Sequence, residues 1–268
     1  MKIAIYCVTY NSYNEANAYL ASLDDKIKHA EIELSVFIAD NTQHNVEAIA
    51  YRPKNYTLRT FNYNNVGYFG AINMMMRECP PIDYDYSIIS NVDLSIKDDF
   101  FDTLANIVLD ENIGWLAPAI FSQQEQRDKN PKILHRYNKK KLSILKMLFK
   151  YHWLYNLYTH SAYKRKKHRQ YDAMDIYAGH GSFIVLTKEY FKRCGIIDYP
   201  VFLFCEEIYL GEQCLRHDLK VAYTPSLVVY DDEHVSTATF KSKQYCRYNY
   251  EAIKYILNKY YSELAMVK

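Results

Sequence analysis

The chain is short of the features that would take it out of the ordinary globular class. Its 268 residues hold only seven Gly and seven Pro, which excludes collagen and low-complexity linkers. Its six cysteines, Cys7, Cys79, Cys194, Cys205, Cys214 and Cys246, form no CxxC pair and have no regular spacing. They read as reduced thiols rather than a zinc knuckle or a secreted disulfide framework. No run of about 18 apolar residues occurs, so no membrane-spanning helix is expected. Even the greasiest stretch, Leu142 to Tyr158, is interrupted by Lys146, Lys150, His152 and Asn156. The amino-terminal run Ile3 to Val8 is stopped by Asn11, Asn14 and Glu15 before a cleavable leader develops, which leads us to expect a cytoplasmic protein.

What is present is a hydrophobic fraction of 49% and a charged fraction of 24%, enough for a sizeable core in one large domain or two closely fused halves. The formal net charge of +2 hides an uneven distribution. Between Arg127 and Gln170 stand fourteen Lys and Arg against Asp128 alone. Such a block needs an anionic partner or a solvated surface. If Lys139 to Trp153 is helical, Lys139, Lys146 and Lys150 share one side, with Leu142, Leu145, Leu148, Phe149 and Trp153 on the other. Residues 139–167, ending in Lys164-Arg165-Lys166-Lys167, then suit an anionic membrane surface; the alternative is a solvated helix whose apolar side packs on its own domain. No nucleic-acid-binding signature accompanies the charge.

Apolar runs alternate with helical periodicity. Ile3–Val8, Leu34–Ala39, Tyr56–Phe61 and Tyr86–Ser90 read as strands, with helices from Asn14 and over Phe69–Cys79 between them. Further on, Trp115–Ile120, Ser182–Leu186, Lys220–Thr224 and Leu227–Tyr230 read as strands. Thr187 caps a helix ended by Gly195, a helix runs from about Glu206 to His217, and the Tyr-rich tail from Phe240 to Leu264 is helical. The pattern predicts an α/β fold with a mostly parallel central sheet flanked by helices. Ligands of such sheets bind beyond the carboxyl ends of the strands, where Thr9 and Asn11, Asp40 and Asn41, and Asn91 and Asp93 collect.

Each cluster has an ordinary use and a chemical one. Asn91-Val92-Asp93 is a post-strand turn, or a carboxylate for a hard divalent ion bridging to phosphate oxygens. Asn65-Val66-Gly67-Tyr68-Phe69-Gly70-Ala71-Ile72-Asn73 is a glycine-dependent loop into a helix, or a set of N–H groups facing phosphate. It is not a full GxGxxG, which disfavours a nicotinamide dehydrogenase. Glu206-Glu207 opens a helix after the apolar run Val201–Phe204, either complementing the helix dipole or supplying a general base. His234, after Asp231-Asp232-Glu233, is a surface histidine or a metal ligand beside Asp93. No serine or cysteine nucleophile motif, HExxH or P-loop occurs.

Taken in order, Val8-Thr9-Tyr10-Asn11-Ser12, Ile38-Ala39-Asp40-Asn41, the Asn65–Asn73 segment, Ser90-Asn91-Val92-Asp93, Gly179-His180-Gly181-Ser182-Phe183, Phe204-Cys205-Glu206-Glu207 and His234 resemble the inverting family 2 glycosyltransferases of the GT-A fold. The resemblance is to the bacterial rhamnosyltransferase-like and galactofuranosyltransferase-like branch and covers about residues 1–240. It implies a Rossmann-like nucleotide-sugar-binding half (1–115), an acceptor and catalytic half (116–240) with a basic helical insertion at about 121–170, and a helical tail (241–268).

By position, the resemblance makes Thr9, Asn11, Asp40 and Asn41 the nucleotide pocket. Asn65, Gly67, Gly70, Asn73 and Asn91 approach the nucleotide sugar. Asp93 and His234 hold a divalent Mn2+ or Mg2+, and Glu207, with Glu206 as second choice, is the base where the family usually has Glu-Asp. The implied reaction transfers a sugar from a nucleoside-diphosphate donor, dTDP-rhamnose or a UDP-sugar, to a hydroxyl of a glycan or lipid-linked acceptor. The setting is bacterial surface polysaccharide synthesis at the inner face of the plasma membrane. The alternative is a catalytically silent nucleotide-sugar-binding, membrane-docking partner of other transferases. The Tyr-rich tail offers a contact surface for a homo-oligomer.

Overall fold

The computed structural model describes residues 1–27, 32–42, 48–162, 170–231 and 242–262. The first half alternates strand and helix: β1 (Lys2–Thr9), α1 (Tyr13–Lys26), β2 (Glu33–Asp40), β3 (Thr57–Asn62), α2 (Tyr68–Glu78) and β4 (Tyr86–Ser90). Then come β5 (Leu94–Ile96), α3 (Phe100–Ala105), β6 (Ile113–Ser122), β7 (Arg127–Asp128), α4 (Lys139–Lys150) and α5 (His152–Ala162). The chain closes with β8 (Met174–Ile176), β9 (Phe183–Thr187), α6 (Lys188–Cys194), α7 (Glu206–Arg216), β10 (Lys220–Asp231) and α8 (Ser242–Tyr260).

The ten strands of the described residues belong to one sheet, in the order β3-β2-β1-β4-β9-β6-β10-β5, with β7 beside β6 and β8 beside β10. β3, β2, β1 and β4 are mutually parallel, as are β6 and β10. β9 runs against both β4 and β6, joining the two parallel blocks. Along β1, Ile3, Ile5 and Cys7 enter the core under α1 and α3, whereas Ala4 and Tyr6 enter the core under α2, α6, α7 and α8. A strand buried on both faces reads as an unbroken apolar run because successive side chains alternate sides.

Two expectations change, and two features go beyond the sequence reading. The helix expected over Lys139–Trp153 ends at Lys150; Tyr151 closes it, with its N–H donating to the Met147 carbonyl, and α5 starts at His152. Lys220–Thr224 and Leu227–Tyr230 are one strand with a bulge between Thr224 and Val228, so Pro225 is accommodated where the ladder is already interrupted. The short β5, β7 and β8 and the helix α3 had no period long enough to read. The Tyr-rich tail turns its rings inward: Tyr245 meets Phe149, Tyr155 and Phe204, Tyr255 meets Tyr199, and Tyr260 meets Tyr209. These contacts fasten α8 to its own domain. Residues 163–169, with Lys164–Lys167, and 263–268 of the tail lie outside the described residues.

Candidate active site

β1, β2 and β4 end at one edge of the sheet, and their following residues meet there. The Asn41 N–H donates to the Thr9 carbonyl at 2.9 Å, and the Asn11 N–H to Thr42 Oγ1 at 2.9 Å. Asn11 adopts φ 54°, a left-handed conformation that asparagine tolerates better than most residues. Asp40 is buried and accepts from the Tyr13 hydroxyl at 2.8 Å and from the Thr42 N–H at 2.9 Å. Asn41, also buried, donates through Nδ2 to the Gly67 carbonyl, and its Oδ1 has no hydrogen-bond partner among the described residues. A buried acceptor without a partner costs about 1–3 kcal/mol, so this oxygen is suited to a ligand N–H.

The Asn65–Asn73 segment approaches from the side. Asn65 Oδ1 accepts from the Gly67 N–H, and Gly67 has φ +83°. A Cβ on Gly67 would stand 2.1 Å from the Phe202 carbonyl oxygen, to which the Tyr68 N–H donates at 3.2 Å. Glycine here lets the start of α2 press against the loop that leads into α7. Gly70 packs on Val66. The amide of Asn73 is engaged inside the fold, donating to the Ile197 carbonyl while Oδ1 accepts from Arg77.

Across the crevice, α7 begins after two consecutive left-handed residues, Phe204 at φ 74° and Cys205 at φ 62°. Each costs about 1–2 kcal/mol. The turn is held by Glu206, whose Oε1 accepts from the Phe204 N–H at 2.9 Å, and by the Tyr199 hydroxyl, which donates to the Phe204 carbonyl at 2.7 Å. Burial, and then the charge of Glu207, push the Glu206 carboxyl up to about 8. Glu207 is only half-buried and points to Gly181, whose N–H lies 3.4 Å from its Oε1. The two acids therefore differ: Glu206 is folded back into its own turn, and Glu207 keeps access to the crevice.

Asn91 is tied to the far side by its N–H, which donates to the Ser182 carbonyl at 2.8 Å. Burial, and then the charge of Asp231, push Asp93 up to about 6, with Lys129 and Asn91 acting the other way. Asp231 is itself buried and paired with Lys129 at 2.7 Å. Two carboxylates that raise one another's cost of ionisation offer hard oxygens whose charge a divalent cation would relieve. The donor set fits Mg2+ or Mn2+, which need few protein ligands when phosphate oxygens supply the rest. Among the described residues no third His, Cys, Asp or Glu joins these two; His234 lies outside them, as do Asp232 and Glu233.

Three participants had no clear signal in the sequence. Asp231 and Lys129 are about a hundred residues apart, and only the pairing of β6 with both β7 and β10 brings them together. Tyr68, inside the glycine-containing segment, has a buried hydroxyl with no partner among the described residues. Burial, and then the neighbouring acidic groups of Cys7, Glu206, Asp93 and Glu207, push it well above its ordinary range. His180 is held well below its usual range by burial and by Lys132, Lys129 and Arg127, which leaves the imbalance of charge here to the lysines. A separate cavity of about 390 Å3, lined by Ser35, Thr57, Arg59, Cys79 and Tyr84, lies at the opposite ends of the strands and belongs to no part of this site.

No protein-family model matches the chain, and no curated protein does. Solved structures do. The chain is similar to S. aureus TarS 1-349 in complex with UDP-GlcNAc, with a TM-score of 0.57, 11% identity and coverage of 90% of this chain and 62% of that one. It is similar to the mannosyltransferase PcManGT from Pyrobaculum calidifontis, in complex with GDP-Man and Mn2+, with a TM-score of 0.53, 12% identity and coverage of 89% and 58%. Against S. aureus TarS the TM-score is 0.56 at 12% identity, with 100% of this chain covering 46% of that one. This chain thus spans roughly half to three-fifths of these proteins. Its fold is that of GT-A type glycosyltransferases: an α/β sheet, mostly parallel, flanked by helices.

Proposed function

We propose that the protein is an inverting, metal-dependent glycosyltransferase of the family 2 rhamnosyltransferase-like and galactofuranosyltransferase-like branch. It moves a sugar from dTDP-rhamnose or a UDP-sugar to a hydroxyl of a glycan or lipid-linked acceptor in bacterial surface polysaccharide synthesis. The observation that carries the reading is the gathering of polar residues that follow the strand ends, at Thr9, Asn41 and Asp93, with a half-buried carboxylate on a separate element, Glu207. The two TarS and PcManGT complexes hold UDP-GlcNAc and GDP-Man on the same fold.

In this reading the unpartnered Asn41 Oδ1 accepts from the imide N–H of a base such as uracil or thymine. Asp93 and Asp231 would hold Mg2+ or Mn2+, which when bound supplies positive charge beside the diphosphate. Lys129 adds a fixed cation to the same place. Glu207 takes the proton of the acceptor hydroxyl as its oxygen bonds to the anomeric carbon; the bond from that carbon to the diphosphate oxygen breaks with its electron pair, inverting the configuration. The Asp-to-Glu lengthening at this position is matched by Gly181. A Cβ there would lie 3.2 Å from Glu207 Oε1, so the glycine leaves room for the extra methylene.

Thermal shift with UDP, dTDP and GDP and their sugars, with and without manganese, tests this. One nucleotide should raise Tm in a metal-dependent way, by about 2.7 kcal/mol of added stability at a hundredfold excess over Kd. Asp93→Ala should lose that response. Glu207→Gln should keep it and lose donor turnover by about 100-fold or more. No shift with any nucleotide would overturn the proposal; a shift with no turnover by wild type would favour a silent binding protein.

A further inference from the structure

The α4–α5 hairpin carries more apolar surface than its own domain covers. On α4, Leu142, Leu145 and Phe149 turn inward and join the core beneath α8. Ile144 and Met147 lie on the opposite side of the same helix, 52% and 56% exposed. On α5, Trp153 and Leu157, one helical turn apart, are 64% and 61% exposed. Tyr151 and Tyr158 are exposed between them, and a shallow groove of about 350 Å3 opens beside Ile144, Leu148 and Tyr158. The apolar side expected from the sequence therefore packs on its own domain, and a second apolar stripe, at Ile144 and Met147, faces outward.

Lys139, Lys140, Lys141 and Lys150 are exposed around the outward stripe, and the sequence has no Asp or Glu between Asp128 and Asp172 to offset them. Cations with long apolar stems around exposed Trp, Met, Ile and Leu are the composition of an interfacial segment, with rings and aliphatic chains in the headgroup boundary and ammonium groups on anionic headgroups. A second copy of the chain is a poor occupant. A two-fold contact through this face would set lysine against lysine with no acid on either side. No helix among the described residues is long and apolar enough to cross a membrane, so attachment would be to the surface.

We propose that the hairpin 139–162 docks the protein on an anionic lipid bilayer. The face is also close to the chemistry. Phe149 and Tyr155 contact Tyr245 of α8, and Tyr245 contacts Phe204 at 5.0 Å between ring centroids. Phe204 is the strained residue that Glu206 holds. Docking therefore sets the Glu207 side of the crevice near the headgroups, where a lipid-linked acceptor would present its hydroxyl. That last consequence rests on the transferase reading; the docking does not.

The two tryptophans make the test direct, since Trp115 is fully buried and only Trp153 is exposed to solvent. The full chain is mixed with vesicles of phosphatidylcholine, with and without phosphatidylglycerol. With the anionic vesicles at low salt, emission should shift to the blue and the protein should sediment with the lipid. Trp153→Phe should abolish the shift, and about 1 M salt, with a Debye length of about 3 Å, should release most of the protein. Ile144→Ser/Met147→Ser, and separately Lys139→Gln/Lys150→Gln, should each weaken partitioning at least tenfold, about fivefold for each lysine removed. As these side chains are exposed, Tm and any nucleotide-induced shift should stay at wild-type values, which separates a docking failure from a failure of the transferase reading. The proposal is overturned by absence of sedimentation with anionic vesicles, or by equal binding to neutral ones. It is also overturned if Trp153 becomes buried without lipid in a concentration-dependent dimer.

Discussion

At the scale of single residues, the site depends on a carboxyl that stays protonated. Glu206 is ordinarily ionised above about 4.5 in an unfolded chain and only above about 8 when folded. Between those values the folded state binds the extra proton, so this residue lowers stability as pH rises through that window and changes nothing further above it. Glu206→Gln keeps the acceptor for the Phe204 N–H and removes the titration. Its Tm should gain on wild type from pH 5 to pH 8, on the order of 5 °C; parallel profiles for the two proteins would contradict the argument. Residue identities in the motifs were readable from sequence because Asn, Asp and Gly stand out after apolar runs. Tyr68, Lys129 and Asp231 were not, because their importance lies in distances and burial that no local pattern encodes. The engagement of Asn73 with Ile197 was hidden for the same reason.

At the scale of elements, long periodic segments declared themselves and short ones did not. β1, β2, α2 and β4 are buried runs or clear helical repeats, whereas β5 spans three residues and pairs through β10. The break at Tyr151 left no proline or glycine as a marker. What fastens the basic segment is equally nonlocal: Glu212 of α7, wholly buried, accepts from Arg136 at 2.7 and 2.9 Å, from the Tyr177 hydroxyl at 2.8 Å and from the Tyr261 hydroxyl at 3.1 Å. One carboxylate thereby ties α7 to the start of the insertion, the approach to β9 and the end of α8. Glu212→Ala removes the shared acceptor from all three and should cost about 1–3 kcal/mol in denaturant titration, because Arg136 is half-exposed but the Tyr177 hydroxyl loses its buried acceptor. A loss below 1 kcal/mol would show that Arg136 simply turns to solvent and that the knot contributes little.

At the scale of the whole molecule, one sheet with a core on each face leaves no boundary at which half the protein could unfold alone. Trp115 on β6 reports that core, so its fluorescence and the far-ultraviolet circular dichroism should fall together in one denaturant transition. Separate midpoints would mean that the two parallel blocks are independent units. The mostly parallel architecture was legible from alternating strands and helices, but the reversal at β9 was not, since a buried strand carries no mark of its direction. That reversal has a consequence for how the protein comes to exist at all. β9 reaches the middle of the sheet from about ninety residues beyond β4, pairing Phe183 with Ser90, and it cannot be inserted until most of the chain has emerged and the loop between them has closed. A nascent or truncated chain ending before the Gly181–Ser182 turn would have strands and helices but neither the N–H that faces Glu207 nor the carbonyl that holds Asn91.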